Sequence, residues 1–542
     1  MGRRSASFVF AVALCLAGAV STVPAAASSE RGSSGETAAL PLGPSTLTEV
    51  RITREVMPGV TLTAIVRGHT DPDAVWTVEV AIPSPSPDPD APATALSDQA
   101  TAEATAAGLV AAGLEARVEA VPTPPLADAG GTILGFRVRV GAVATRAEAD
   151  AIRAQVLATG VGGATIYTGW DGEPDDVAGS TGPWHVQVLT IDPRRFRGTL
   201  SGTYGPDLEQ RETTSALAAL VGADAAVNAG FFVLDPRAGA PGDPAGVGVY
   251  DGRLLSETIA GRPALVVDDQ ASRTSVERFW WRGQIAAGGR TLTLDGLNRV
   301  PGLIRNCGGT ADDVPTSAPL HDFTCTDDDE LVAFDEAYGA STPTGLGVEA
   351  VIDRRGIVTE IRAARGGPVP AGGRTVQATG DLTDDLLALA SVGRPLIVRA
   401  ALSTEEGRRV PLTARTTIVN GGPELVRDGQ LWATPRADGM VHPDNPSFYY
   451  GWVHKRNPRT LAGVDPLGRT VLVTADGRST ESLGLGIGEA AAVAQSLGLR
   501  DAINLDGGGS TTMVIDGVVV NTPSDATGER PVGDALVILP TQ

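Results

Sequence analysis

The chain has 542 residues, too many for one ordinary hydrophobic core, so two or three domains are expected. Its net charge of -21 argues against nucleic-acid binding, because a phosphate backbone needs a basic face. Hydrophobic residues make up 42% of the chain, which indicates that most of it is globular.

The first 27 residues have the pattern of a secretory signal peptide. Arg3 and Arg4 precede the apolar run 8–20, and alanines at 25–27 provide small residues for cleavage. That run is short for a membrane span, and no second run of about 18 apolar residues follows it. We therefore predict a secreted or cell-wall-associated protein with no transmembrane segment after signal removal.

Two cysteines, Cys307 and Cys325, remain after the signal. In an oxidising compartment they predict a disulfide that closes a loop of about 18 residues and contributes roughly 3 kcal/mol. A zinc site that includes His321 is the weaker alternative, because it would have only three ligands and the chain has no C-x-x-C motif.

Residues 28–48 are rich in Ser, Gly, Ala and Pro, which predicts a disordered leader. Residues 49–70 contain two apolar runs on either side of Pro58 and Gly59, and this pattern predicts a hairpin of two strands or a strand with a bend.

Residues 74–168 contain a twofold strand-helix-strand repeat. The predicted strands are 75–82, 115–121, 133–140 and 163–167, and the predicted helices are 94–112 and 145–159. The strand starts at 76–80 and 136–141 and the helix at 146–151 resemble the SPOR family. That resemblance implies a small ferredoxin-like sheet that holds peptidoglycan glycan strands lacking stem peptides.

An acidic linker is predicted at 169–183, and residues 184–542 then continue without another clear boundary. Asp-Gly pairs at 251–252, 428–429, 476–477 and 516–517 lie between apolar runs and predict hairpin turns. Helices are predicted at 213–221, 381–390 and 487–497. The expected fold class is α+β, with a strand-rich mixed-sheet domain and the small double β-α-β domain.

One stretch near the end of the chain has the composition of a binding pocket. An apolar run leads through Asn504 and Asp506 to three consecutive glycines, Gly507, Gly508 and Gly509, and then to Ser510. Consecutive glycines allow main-chain N–H groups to approach a ligand closely. A tight turn between strands is the simpler alternative, but a turn does not need the surrounding carboxylate, amide and hydroxyl.

Three further polar clusters occur at 227–232, which contains Asn228, at 420–423 and at 455–460, and Arg530 follows the glycine stretch. Taken singly, each fits a turn or a solvated loop. Taken together, Arg, Asn, Asp and glycine main chain suit an anionic ligand rich in hydroxyls.

Five ordered motifs, at 456–460, 474–478, 504–511, 521–525 and 528–530, resemble the phosphodiester glycosidase family. Segments 227–232 and 421–423 match its earlier motifs, so the resemblance covers 184–540. The chain departs from the pattern at Ala229, where a second glycine is expected, and at Ala475.

The resemblance implies hydrolysis of a sugar-1-phosphodiester, with a linkage of the N-acetylglucosamine-phosphate type. We assign Asp506 and Asp476 as the catalytic carboxylates. We assign the following as substrate-binding residues, with the arginines as phosphate clamps: Asn228, Arg456, Arg459, Thr460, Asn504, Gly507, Gly508, Gly509, Ser510 and Arg530. No cofactor is predicted with certainty, and a divalent cation near Asp506 remains open.

The two runs at 52–67 resemble the first strands of the same family's domain. The repeat would then be an insertion into that domain, at a loop whose ends lie close together. The alternative function is a cell-wall protein that binds anionic glycopolymer without cleaving it.

Overall fold

The computed structural model describes residues 38–82, 94–130, 132–172, 179–259, 261–307, 313, 320–442 and 445–541. The predicted signal peptide, residues 28–37 of the predicted leader and part of the predicted linker lie outside the described residues. No helix among the described residues is long and apolar enough to cross a membrane.

The described part contains six α-helices and 34 strands, which confirms the strand-rich α+β class. The helices are α1 Gln99–Ala111, α2 Arg146–Ala158, α3 Thr214–Val221, α4 Leu382–Leu389, α5 Pro446–Tyr449 and α6 Ile487–Ser496. The strands are β1 Glu49–Met57, β2 Val60–Arg67, β3 Trp76–Ala81, β4 Ala116–Pro122, β5 Ile133–Val143, β6 Gly162–Tyr167, β7 Trp184–Ile191, β8 Thr199–Thr203, β9 Ala225–Asn228, β10 Gly248–Tyr250, β11 Arg253–Ser256, β12 Pro263–Asp268, β13 Thr274–Arg278, β14 Trp280–Ala287, β15 Arg290–Leu294, β16 Gly296–Leu297, β17 Ile304–Arg305, β18 Thr324–Cys325, β19 Leu331–Phe334, β20 Ser341–Gly345, β21 Val348–Ile352, β22 Val358–Arg362, β23 Arg365–Pro368, β24 Arg374–Ala378, β25 Ile397–Ser403, β26 Thr416–Asn420, β27 Glu424–Arg427, β28 Gln430–Leu431, β29 Arg459–Val464, β30 Thr470–Ala475, β31 Asp501–Asn504, β32 Met513–Ile515, β33 Val518–Val519 and β34 Ala535–Leu539.

An eight-stranded sheet in the order β1-β2-β7-β30-β29-β31-β27-β28 is the centre of the large domain. Alternate residues of its strands point to opposite faces. Val471 and Val473 join the core that α6 covers, while Leu472 joins the core shared with a second sheet. That second sheet has the order β33-β32-β9-β34-β8, and α3 packs on its far side.

Strands β1 and β2 belong to this central sheet although they precede the repeat in the chain. β2 pairs antiparallel with β7 over its whole length, from Val60 opposite Ile191 to Arg67 opposite Trp184. The double β-α-β segment therefore lies between two adjacent strands of one sheet, which is the arrangement of an inserted domain.

The inserted segment has the element order β3-α1-β4-β5-α2-β6, and its four strands form an antiparallel sheet in the order β4-β5-β3-β6. Val78, Val80, Val138 and Val140 pack under the two helices. Both helices begin where the sequence places a cap, since Asp98 accepts the N–H of Thr101 and Thr145 forms a capping box with Glu148.

Two boundary predictions need correction. Leu40 and Leu42 were assigned to a disordered leader, but they are 1% and 0% exposed and lie in the large core. The Arg67 guanidinium donates to the Leu42 carbonyl at 2.7 Å, which fixes this segment against β2. The predicted linker also begins inside the structure, because buried Asp171 accepts two hydrogen bonds from Arg139 at 2.7 and 2.5 Å.

Three of the four Asp-Gly pairs form hairpin turns, with both residues at positive φ as such turns require. The fourth pair does not. Asp476 follows the end of β30, and its N–H donates to the His185 carbonyl at 3.0 Å. Cys307 and Cys325 form a disulfide with a Cα–Cα distance of 5.2 Å, as predicted.

Candidate active site

The strand ends at one edge of the central sheet bring the predicted motifs together. Arg459 opens β29 opposite Ala475, the last residue of β30, and Leu461 pairs with Asn504, the last residue of β31. The glycine stretch, the Arg459 segment and the residues after β30 therefore lie close together, because each of them adjoins a strand end at this edge.

A cavity of about 380 Å³ lies at this edge. It is lined by the charged side chains of Glu79, Asp322, Lys455, Arg459, Arg478, Asp506 and Arg530, by Tyr450, Trp452, Asn457 and Ser447, and by Ala95, Gly451, Gly507 and Gly508. Among the predicted residues, Asp506, Arg459, Arg530, Gly507 and Gly508 line this cavity.

Asp506 is the most perturbed carboxyl in the cavity. Burial raises its pKa to about 7, while the Ser510 hydroxyl and Arg530 oppose this rise and Asp322 adds to it. One Asp506 carboxylate oxygen accepts the N–H of Gly507 at 2.9 Å. Near neutral pH this group can therefore give or take a proton, as an acid or base in catalysis must.

Two arginines of the cavity lack a carboxylate partner among the described residues. Arg459 donates to the main-chain carbonyls of Leu485 and Trp452, and Arg478 donates to the Asn457 amide oxygen at 3.0 and 3.1 Å. Burial and Arg478 lower the pKa of Arg459 to about 9, and burial and Arg530 lower that of Arg478. Such cations favour a bound anion, and a phosphate matches the guanidinium fork.

Arg530 differs from these two arginines because Asp525 already pairs with it, at 2.9 and 3.0 Å. Gly509 makes room for the pair, since a Cβ atom on Gly509 would lie 2.2 Å from an Arg530 nitrogen. This glycine therefore serves close packing rather than direct ligand contact.

Asn228, Thr460 and Asn504 lie behind the cavity and brace the chain that carries Asp506. The Asn228 amide donates to the Asp506 carbonyl at 2.7 Å, and the Thr460 hydroxyl donates to Asn228 at 2.8 Å. The Asn504 amide donates to the Gly422 carbonyl at 2.9 Å. All three are fully buried, so they position Asp506 and do not line the cavity.

Arg456 does not lie in the cavity, contrary to its predicted role as a phosphate clamp. Its guanidinium pairs with buried Glu489 at 2.8 Å, donates to the Ser180 hydroxyl and lies over the Trp184 ring. Its charge is already compensated, because the side chain turns toward α6 instead of the sheet edge.

Asp476 is also placed outside the cavity. One of its carboxylate oxygens accepts the N–H of Thr522 at 2.9 Å and the Asn521 amide at 3.2 Å, and burial raises its pKa. It holds the segment after β33, so the structure gives it a positioning role rather than a place beside Asp506.

Four charged cavity residues were not assigned from sequence: Glu79, Asp322, Lys455 and Arg478. Arg478 and Lys455 stand in or beside recognised motifs, so the motif composition is a signal that could have found them. Asp322 and Glu79 carry no such signal, since only the folded chain brings them near Asp506. The main-chain N–H of Asp322 donates to the Asn306 side chain at 2.8 Å. Asp322 also lies three residues before Cys325 of the disulfide.

One group of acidic side chains in the described part of the chain could share a metal ion, namely Asp313, Asp327 and Glu330. None of them lines the cavity, and Glu330 pairs with Arg299. A divalent cation near Asp506 stays a prediction.

The C-terminal part of the chain matches a known protein family. Residues 346–539 match the family model of phosphodiester glycosidases. This part of the chain is similar to phosphodiester glycosidases. Arg459, Arg478, Asp506 and Arg530 all lie inside this matched segment.

Curated proteins that are similar to part of the chain include mouse and human N-acetylglucosamine-1-phosphodiester alpha-N-acetylglucosaminidase. The mouse protein is 32% identical over 160 residues, covering 29% of this chain and 30% of the relative. The human protein is 33% identical over 109 residues, covering 20% and 21%. The chain therefore spans less than a third of the length of these relatives.

A solved structure resembles almost the whole chain. It is that of a candidate exported protein from Burkholderia pseudomallei, with a TM-score of 0.82 and 35% identity, covering 93% of this chain and 99% of that one. A hypothetical protein from Synechocystis has a TM-score of 0.52 at 17% identity, over 90% of this chain and 76% of that one, and this likeness shows the fold alone.

Proposed function

We propose that the protein hydrolyses sugar-1-phosphodiesters in this cavity and releases the sugar from a phosphorylated acceptor. The observation that carries the proposal is the presence in one cavity of Asp506, whose pKa is about 7, and of two arginines without carboxylate partners among the described residues. The names of the mammalian relatives favour N-acetylglucosamine as the sugar.

In the proposed reaction a water oxygen attacks the anomeric carbon, and its proton passes to the Asp506 carboxylate. The bond between the anomeric carbon and the phosphate oxygen breaks, and its electron pair leaves with the phosphomonoester. A phosphate leaves without a strong general acid, so stabilising the charge that it gains is the more demanding task. Arg459, which is buried, and Arg478, which is exposed to solvent in the same cavity, supply that stabilisation.

Asp322 replaces Asp476 as the second carboxylate of this proposal. It lines the cavity and acts electrostatically on Asp506, while Arg305 donates to it at 2.8 Å. A second negative charge beside the sugar stabilises the positive charge that develops on the ring as the phosphate departs.

The test is turnover of N-acetylglucosamine linked through phosphate to an alkyl or aryl alcohol. Wild type should release the sugar, and Asp506→Asn should lower kcat/KM by about 1,000-fold because it removes the base. Asp516→Asn is the matched control, since this exposed aspartate lies in a hairpin turn away from the cavity. No turnover by wild type, with retained binding of anionic glycopolymer, would favour the non-catalytic alternative.

Export is part of the proposal and rests on the signal-like first 27 residues and on the exported character suggested for the Burkholderia relative. Fractionation of cells that express the full chain tests it. Recovery in the medium or wall fraction, with the first residues removed, supports export, and retention of the uncut chain in the cytosol contradicts it.

We also propose that the double β-α-β domain binds peptidoglycan glycan. The sheet face opposite its helices carries Arg137 and Arg139, which are buried against Tyr450 and Asp171. A cleft of about 630 Å³ borders this face and is lined partly by Arg117 and His69, so we assign glycan to this cleft. Cosedimentation with peptidoglycan freed of stem peptides should be lost in Arg117→Ala, and unchanged cosedimentation would contradict the assignment.

A further inference from the structure

The wall of the cavity is built by both domains. Glu79 on β3 and Ala95 come from the double β-α-β domain, and the other lining residues come from the large domain. The Ser447 hydroxyl fixes the contact, because it accepts the N–H groups of Ala95 and Leu96 at 3.0 and 2.8 Å. The inserted domain is therefore held directly beside the cavity.

Lys455, the only lysine of the chain, carries its ammonium group into this wall. Its Nζ atom donates to a Glu79 carboxylate oxygen and lies 4.7 Å from the centre of the Tyr450 ring. An ammonium group has three N–H donors, and one of them is used by Glu79. In the described part of the chain the other two donors have no acceptor, so they can serve a ligand in the cavity.

Glu79 is itself fixed by a chain of charged and polar groups. The Tyr450 hydroxyl donates to it at 2.9 Å, and Arg139 donates to it at 3.3 Å. Arg139 is anchored in turn by Asp171. Although burial alone would raise the pKa of Glu79, Lys455 and Arg139 lower it to about 2, so the carboxylate stays charged.

We propose that Lys455 binds the phosphate group of the substrate and that Glu79, a positioning residue from the inserted domain, holds the ammonium in place for this contact. The inference rests on the proposed function. It makes the double β-α-β domain a part of the active site, in addition to any glycan that the domain binds. The ligand is an anionic phosphate ester. Lys455, Arg459 and Arg478 all line the cavity and would contact its phosphate group.

Selective labelling of amines tests the contact without turnover. Because Lys455 is the only lysine, reductive methylation can modify only Lys455 and the N-terminal amine, and peptide mass spectrometry separates the two. Methyl phosphate should slow methylation of Lys455 at least about fivefold relative to sodium chloride of equal ionic strength, with the N-terminal amine as internal reference. Equal slowing of both amines, or of neither, would overturn the proposal.

Kinetics of variants test the positioning role. Lys455→Met should raise KM about tenfold with a smaller change in kcat, and Lys455→Arg should restore part of the loss because it keeps the charge. Glu79→Gln should raise KM and abolish the protection of Lys455 by methyl phosphate. Glu103→Gln, an exposed position on α1 of the same domain, is the matched control.

Thermal unfolding of each variant shows whether the fold is retained. If Glu79→Gln unfolds, the labelling of wild type together with the KM of folded Lys455→Arg and Lys455→Met still decides the contact. Turnover by wild type with an unchanged KM in Lys455→Met would overturn this inference alone. Absence of turnover in wild type would overturn the proposed function, while the labelling would still report whether Lys455 meets phosphate.

Discussion

Asp322 lies close enough to Asp506 for its negative charge to help raise the pKa of the Asp506 carboxyl. The two residues are 184 positions apart in the sequence, and the disulfide-closed segment and the glycine stretch bring them to one cavity. A coupled pair of carboxyls in a cleft is a frequent feature of glycoside hydrolysis.

The pH dependence of activity follows from this pair. Acting as base or as nucleophile, Asp506 must be ionised, so kcat/KM should rise as the pH increases through about 7. Asp322→Asn removes a neighbouring negative charge, so the inflection should move to lower pH, with a reduced maximum rate. A pH series of kcat/KM for both proteins measures this, and an inflection that stays in place would show that Asp322 does not act on Asp506.

Stability should respond to pH through the same group. Since the folded pKa of Asp506 is raised, its stabilising effect is complete below about pH 4 and is lost as the pH rises to about 7. Asp506→Asn removes this dependence but keeps an oxygen for the Gly507 N–H. It should therefore be more stable than wild type at pH 8, by up to about 4 kcal/mol, and equally stable at pH 4. Urea unfolding at both pH values measures the difference, and equal stability at pH 8 would contradict the raised pKa.

Substitution of Arg456 should lower stability, whereas substitution of Arg478 should lower activity. Arg456→Met leaves Glu489 buried without its partner, so it should lower the free energy of unfolding by about 3 kcal/mol or more. Arg478→Met removes an exposed cation of the cavity that lacks a carboxylate partner in the described structure. It should keep the fold and lower kcat/KM by about 100-fold. Denaturant unfolding and turnover of the two variants form a matched pair, and the reverse pattern would restore Arg456 as the phosphate clamp.

Local signals in the sequence predicted local structure well. Helix α2 was predicted at 145–159 and spans Arg146–Ala158, because Thr145 and Glu148 form the capping box that their spacing indicates. The same holds for the hairpins at the Asp-Gly pairs, except at 476–477. There the aspartate side chain binds the Thr522 N–H, so tertiary contacts override the turn propensity.

Placement of the site was predicted only in part. Gly507, Gly508 and Arg459 line the cavity because the central sheet ends beside them. Arg456, three residues before Arg459, faces Glu489 of α6 instead, and sequence spacing outside regular structure does not fix that direction. Glu79 enters the cavity through packing of an inserted domain, which no local pattern encodes.

Isotope labelling tests most directly whether the enzyme breaks the bond between the anomeric carbon and the phosphate oxygen. Hydrolysis of an N-acetylglucosamine phosphodiester in water enriched in oxygen-18 should place the label on the released sugar, because water attacks the anomeric carbon. Mass spectrometry of both products measures this. Label on the sugar and none on the phosphomonoester is the expected result, and label on the phosphate would show that the arginines serve a phosphodiesterase that cleaves the phosphorus–oxygen bond.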